Sequence, residues 1–271
     1  MMSASPPILL NMQDDVATLT LNRPERMNAL TPHLFTQAVL AIDEALAGGA
    51  RALVLTGAGN AFCSGADMMP DAYEDGSRQG RAASMPEDLG AVLERYYNPF
   101  VQKIAALDVP LITAINGPAV GAGLGLALLG DISIMARSAY VMLAFVNIGL
   151  VPDAGATWLV AQSVGRAKAL EMALLGEKMD AQDALSAGLI TRVVDDGEVL
   201  EQAQAIAQRL AKGPSIAIGM IRKQVAAALT KDLDGNLLME RANQRRAGMT
   251  ADFHEAALAF AQKRPPHFTG R

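Results

Sequence analysis

The segment VPLITAINGPAVGAGLGLALLG, from Val109 to Gly130, carries no charge and is about as long as a membrane-spanning helix. Pro110 stands near its start, and Asn116, Gly117 and Pro118 interrupt its middle, where a continuous helix would fail. The segment therefore reads as a buried strand, PLITAI, then a turn, then a buried helix, VGAGLGLALL. A strand and a helix in tandem, both apolar throughout, place the chain among α/β folds with parallel strands.

The same alternation runs through most of the chain. Ile8 to Met12 and Val16 to Leu21 read as a β-hairpin joined at QDD, and NRPERMNAL breaks the second strand. Thr31 and Pro32 have the character of an N-cap and first helical residue, predicting a helix to Ala47. RALVLTG is a strand, followed by the loop AGNAFCSGADMM. Pro70 to Gly90 turns polar and irregular, as a mobile surface insertion would, and helix resumes from Ala91 to Ala106. DISIMA and AYVML are further strand signals, and a helix after Asp153 is expected to reach Val164. Beyond GLITRVVDD the strands stop, and helices are expected over Glu198 to Ala211, Pro214 to Leu229, Leu237 to Ala247 and Ala251 to Lys263.

Composition narrows the class. At 271 residues and 51% hydrophobic content the chain can bury a large core, and with only 4% aromatics that core is filled by Ala, Leu, Ile, Val and Met. A net charge of −5 with scattered basic residues argues against a nucleic-acid partner, which needs a concentrated basic surface. Cys63 is the single cysteine, so neither an intrachain disulfide nor a thiolate-rich metal site is expected. The opening residues lack a basic region ahead of their short apolar run, and the reading is a cytoplasmic protein with no membrane attachment.

Several chemistries are set aside by spacing. GAGLG lacks the third glycine of a dinucleotide fingerprint, since Leu126 and Leu128 stand where it would be, and no Gly-Lys-Ser or Gly-Lys-Thr is present. His33, His254 and His267 flank no nucleophile elbow and share no helical metal-binding spacing.

Two features remain. CSGADMM and NGPAVGAGLG each follow a strand, and their glycines admit close approach to main-chain N–H groups. Two such N–H groups converging would form an oxyanion hole; alternatively the glycines serve only tight turns. Asp153 is the sole charged residue between Arg137 and Arg166. It is suited to proton abstraction, because poor solvation raises carboxylate basicity, and equally to capping the helix that follows it.

Taken together, NRPERMNAL, VLTGAGNAFCSGADM, INGPAVGAGLGLALLGDI, IGLVPDAGATW, VGRAKALEMALLGEKMDAQDALSAGLITRVV and AFAQKRPPHF resemble the crotonase family of enoyl-CoA hydratases and isomerases. The resemblance runs in order over nearly the whole chain and is weakest from Pro70 to Gly90. It implies a crotonase spiral of strand-strand-helix units over residues 1–197, holding an acyl-CoA site, and a C-terminal helical region, 198–271, packing a homotrimer or dimer of trimers. Substrates would be acyl-CoA thioesters, with coenzyme A part of the substrate and no separate cofactor or metal.

Carried over by position, the resemblance implies that the oxyanion N–H groups are those of Ala66 and Ala122. Ser64, Ala66, Asp67 and Met68 would line the coenzyme A path largely through main chain, with Arg26 near its phosphates. Phe260 and Lys263 would stand at the far end, reaching a neighbouring subunit. Tyr96, Met142, Phe145 and Trp158 would shape the acyl pocket. Family hydratases carry two glutamates at positions that are Gly125 and Phe145 here, so the acid and base for adding water are missing. GLVPDAGATWL is most similar to the ring-epoxide isomerase group of phenylacetate degradation, in which an aspartate occupies the position of Asp153. The expectation is an isomerase that shifts a double bond. The alternatives are a hydratase, lyase or hydrolase drawing on Asp71, Glu74, Asp75, Glu87 or Glu94, and a non-catalytic acyl-CoA-binding or RNA-binding member.

Overall fold

The computed structural model describes residues 5–69 and 86–271. The chain enters as a hairpin in which β1 (Ile8–Gln13) and β2 (Val16–Leu21) pair antiparallel across a tight turn, with Asp14 at φ 52°. Helix α1 (Pro32–Ala47) starts where Thr31 Oγ1 accepts the Leu34 N–H at 3.1 Å, and it buries Leu34, Phe35, Ala38 and Ile42 beside the sheet. Strand β3 (Ala52–Gly57) lies parallel to β2. Then come α2 (Leu89–Val92), a π-helical stretch Leu93–Tyr97, and α3 (Asn98–Ala106). Asp88 caps α2 by accepting the Ala91 N–H, so helix begins just ahead of the expected Ala91. The expected insertion lies outside the described residues from 70 to 85.

The repeating unit is plainest in the middle of the chain. One winding is β4 (Leu111–Ile115), β5 (Ala119–Val120) and α4 (Ala122–Leu128); the next is β6 (Ile132–Ala136), β7 (Tyr140–Met142) and α5 (Ala156–Leu175). β8 (Lys178–Asp180), α6 (Ala181–Ser186) and β9 (Arg192–Val194) follow. The leading strands join a six-stranded sheet ordered β1-β2-β3-β4-β6-β9, parallel from β2 onward. The second strands build a smaller sheet, β5-β7-β8. This is the spiral of strand-strand-helix windings that the resemblance implies, and the apolar run from Val109 resolves into β4, a turn, β5 and α4.

Helix α7 (Val199–Ala211) presses Val199, Ala203, Ala207 and Ala211 against the large sheet, the small residues permitting a close approach. Outside it lie α8 (Ser215–Ala228), α9 (Leu233–Ala247) and α10 (Ala251–Ala261). Arg51 ties this layer to the core, donating to Gly213 O at 2.6 Å and Ser215 Oγ at 2.8 Å.

Two helix boundaries differ most from expectation, α10 also ending at Ala261 rather than Lys263. α5 continues to Leu175, but Gly165 (φ 75°, ψ 168°) breaks its helical path, so the first stretch does end beside Val164 and a second follows. α9 begins at Leu233 rather than Leu237, because Asp232 caps it by accepting the Gly235 N–H at 2.9 Å. Gly235 and Asn236 read as breakers only when that cap is overlooked.

Candidate active site

The site is built where successive windings lie side by side. Cys63 and Ala119 form a parallel bridge, with the Cys63 N–H donating to Pro118 O at 3.1 Å and the Val120 N–H to Cys63 O at 2.9 Å. Three residues beyond each partner stand Ala66 and Ala122, which are therefore at matching offsets from the bridge. Gly65 (φ 97°) and Gly121 (φ 56°) precede them and turn each chain out of its strand. A side chain at Gly65 would place Cβ 2.9 Å from Val120 O and 3.6 Å from the Ala122 nitrogen, so the two turns nearly touch and only glycine fits between them.

Around Ala66 the hydrogen bonds skip its own N–H: Leu30 donates to Gly65 O at 2.8 Å, and Asp67 donates to Leu30 O at 2.9 Å. In α4 the first internal donors are Leu124 and Gly125, both to Gly121 O. Among the described residues, neither the Ala66 nor the Ala122 N–H has an acceptor in the protein. Two adjacent, unspent donors are what an oxyanion would use.

Asp153 lies in the turn that leads into α5. The helix is capped by Gly155 at φ 76° with no side-chain bond, and only the backbone carbonyl of Asp153 is used, accepting the Ala156 N–H at 2.8 Å. Capping is thus not the role of the carboxylate. Its Oδ1 is fully buried, with no hydrogen-bond partner among the described residues. Burial alone pushes the carboxyl from its ordinary 3.8 up to about 6, with no charged neighbour contributing.

Gly125 sits in α4, one turn after Ala122. A Cβ there would lie 2.7 Å from the Ala154 carbonyl oxygen and 3.1 Å from the Ala154 Cβ, so this position has no room for a glutamate. The Phe145 ring approaches Gly121: its Cζ lies 3.8 Å from where a Cβ on that glycine would be, and Phe145 is buried. Both positions expected to lack a carboxylate are filled, one by backbone and one by an aromatic ring.

The other expected site residues divide. Ser64 donates its Oγ to Arg26 O at 3.4 Å and its N–H to Met27 O at 3.0 Å, so Ser64, exposed Arg26 and exposed Met68 belong to one surface beside Ala66. The Asp67 carboxylate faces inward to Arg23 at 2.8 Å and also accepts the Met69 N–H at 3.1 Å. Phe260 is 87% exposed and Lys263 is exposed just past α10, so neither joins the turn pair of its own chain. Met142 accepts the Gly121 N–H and borders the site. Trp158 instead lines a separate apolar groove of about 600 Å3 with Val101, Ile132, Ile221 and Leu229, which reaches the Asp153 turn only at Gly155.

Sequence reasoning missed Arg23 and Asn28. Asn28 is fully buried with φ 57°; its side chain donates to Ala58 O and Ala61 O and accepts the Arg23 N–H at 2.9 Å. These bonds fix the loop that carries Ala66. The signal available was NRPERMNAL itself, where an asparagine between apolar residues marks a turn held from inside. Cys63 takes no chemical role here, since burial pushes its thiol up to about 12. Among the described residues no cluster of three or more potential metal ligands occurs, and no helix is long and apolar enough to cross a membrane.

Comparison with known proteins supplies relatives. The family model described as Enoyl-CoA hydratase/isomerase matches residues 11–271. A protein of Escherichia coli K12 named 1,2-epoxyphenylacetyl-CoA isomerase is 43% identical over 97% of this chain and 98% of its own. A Rhodobacter capsulatus protein named "Probable enoyl-CoA hydratase" is also 43% identical, with the same coverage. The crystal structure of an enoyl-CoA hydratase from Bacillus anthracis superposes with a TM-score of 0.88 at 29% identity, covering 98% of this chain and 100% of that one.

Proposed function

Because this chain belongs to the enoyl-CoA hydratase/isomerase family, we propose that it is an acyl-CoA isomerase that shifts a double bond, with Asp153 carrying the proton and the Ala66 and Ala122 N–H groups holding the thioester oxygen. The observation that carries this reading is the Asp153 Oδ1, buried and without a hydrogen-bond partner among the described residues, in a site where Gly125 and Phe145 supply no second carboxylate. The ionised carboxylate removes a proton from carbon, and the electron pair passes into the thioester as an enolate. The two N–H groups stabilise the negative oxygen. The neutral Asp153 carboxyl then returns the proton further along the conjugated system. Atoms balance without water, and no cofactor is required.

Arg26 at the mouth suits the coenzyme A phosphates, with Ser64, Asp67 and Met68 bordering the chain through their backbone and Phe145 walling the acyl end. Phe260 on α10 and Lys263 just past it, both exposed, suit contact with a neighbouring subunit in a trimer or dimer of trimers. The name of the Escherichia coli relative puts a ring-derived substrate such as 1,2-epoxyphenylacetyl-CoA among those to try first.

A hydratase is the second reading, favoured by the name of the equally similar Rhodobacter capsulatus relative. It needs another carboxylate. Glu87 and Glu94 are exposed, while Asp71, Glu74 and Asp75 lie outside the described residues.

The test is incubation in deuterated water with 3-enoyl, 2-enoyl and ring-epoxide CoA thioesters, beside Asp153→Asn, reading double-bond position and deuterium by mass spectrometry and NMR. Rearranged product lost in the variant supports isomerisation. Water added to product, surviving Asp153→Asn, would overturn it in favour of hydration.

A further inference from the structure

The turn Pro152 to Gly155 has two consecutive residues in left-handed conformation, Ala154 at φ 51° and Gly155 at φ 76°. For glycine this is ordinary, but for alanine it is uncommon and costs energy unless neighbours hold it. Ala154 is 2% exposed, and what it meets from α4 is the backbone of Gly125. The space a Cβ at Gly125 would need is already occupied, at 2.7 Å by the Ala154 oxygen and at 3.1 Å by the Ala154 Cβ.

We propose that Gly125 is a positioning residue for Asp153: its missing side chain lets α4 seat against the Ala154 carbonyl, and this contact holds the left-handed turn that keeps the neighbouring carboxyl buried and aimed at the site. The proposal rests on Asp153 being the proton-transfer group. It ties two properties to one contact, since the approach that fixes Asp153 also removes the room a water-activating glutamate would occupy.

Among the described residues, the surroundings of the carboxyl make its titration a clean reporter. α4 carries no charged residue, nor does the 3-10 turn Ala144–Ile148, nor α5 before Arg166. α3, whose Val101 meets Gly155, bears Lys103 as its one charged residue, and that is paired with Asp43 at 2.6 Å. A change in how Asp153 titrates therefore reports its solvation and placement.

The experiment is NMR titration of protein labelled with 13C at the aspartate carboxyls, the Asp153 signal being assigned by its loss in Asp153→Asn. Denaturation midpoints, kcat and KM are measured on the same variants. Gly125→Ala is expected to move the Asp153 midpoint from about 6 toward 3.8 as the turn lifts and water enters, with kcat falling roughly 10²-fold and KM little changed. Leu126→Ala, beside it but facing the core, is expected to lower the denaturation midpoint and leave the Asp153 titration in place. Should Gly125→Ala not fold, Ala154→Val crowds the same contact from the opposite side, where the Ala154 Cβ already stands 3.1 Å from the Cβ position of Gly125, and is expected to shift the titration in the same direction. Folded Gly125→Ala or Ala154→Val protein that titrates Asp153 as wild type does, with kcat retained, would overturn the proposal. If wild type isomerises no thioester the functional reading fails instead, and the titration still decides whether Gly125 holds the carboxyl.

Discussion

Arg23 and Asp67 form an ion pair at 2.8 Å beneath the loop that presents Ala66, with Asp67 only 5% exposed. Arg23 also donates to Ala29 O at 2.6 Å, so one guanidinium joins the NRPERMNAL turn to the residue next to the proposed oxyanion donor. Removing Asp67 leaves Arg23 without its carboxylate in a largely dry place. Asp67→Ala is expected to lose about 2–4 kcal/mol of stability by urea denaturation. It should also depress kcat, because the Ala66 N–H loses its anchor; unchanged kcat in the folded variant would separate this pair from the site.

Replacing Asp153 with asparagine should stop proton transfer while stabilising the fold. kcat is expected to fall roughly 10²- to 10⁴-fold. The carboxyl is raised from 3.8 in the unfolded chain to about 6 in the folded one, so folding favours its protonated form. That contribution is fully present below about pH 4 and is lost as pH rises through 6. At pH 8 the folded protein carries a poorly solvated charge costing roughly 3 kcal/mol. Asp153→Asn should therefore melt higher than wild type at pH 8 and close to it at pH 4. Equal melting at both would show that the carboxyl is better solvated than its surroundings suggest.

The rate should carry the same signature. A base must be ionised, so kcat is expected to climb with pH through about 6 and level off above it. A profile whose rise centres near 4 would mean that substrate or water relieves the burial of Asp153 in the working complex.

Ala122 can be tested by replacing its N–H hydrogen with a ring carbon. It is the first residue of α4, a position where proline is well accepted because its nitrogen makes no internal helical bond. Ala122→Pro should fold and lose about 10²- to 10³-fold in kcat. A variant that retains full activity would remove Ala122 from the oxyanion role.

Much of the fold was legible in sequence because its signals are local. Thr31-Pro32 announced α1, and the breakers at Asn116 to Pro118 separated β4 from α4. The short strands β5 and β8 were not, since two or three residues give no periodicity and their pairing with β7 is decided by distant chain. The site was half legible. The isolation of Asp153 along the sequence showed that something unusual stood there, but Asp before an apolar helix is also the ordinary capping pattern. What distinguishes them, the cap at Gly155, depends on the strained conformation of Ala154. Arg23 was invisible for a similar reason: nothing in its own neighbourhood says that its partner is Asp67.

The register of Cys63 against Ala119 gives the site a ruler. Ala66 and Ala122 are offset equally from residues paired on adjoining segments, so the two turns that present them leave from one register, with a starting separation of about 4.8 Å set by hydrogen-bonded strands. Under the proposed function, the segments that would choose among acyl groups can therefore change residue by residue while that common register is kept. One scaffold could thus be refitted to new acyl chains without moving the strands from which the proposed oxyanion donors depart.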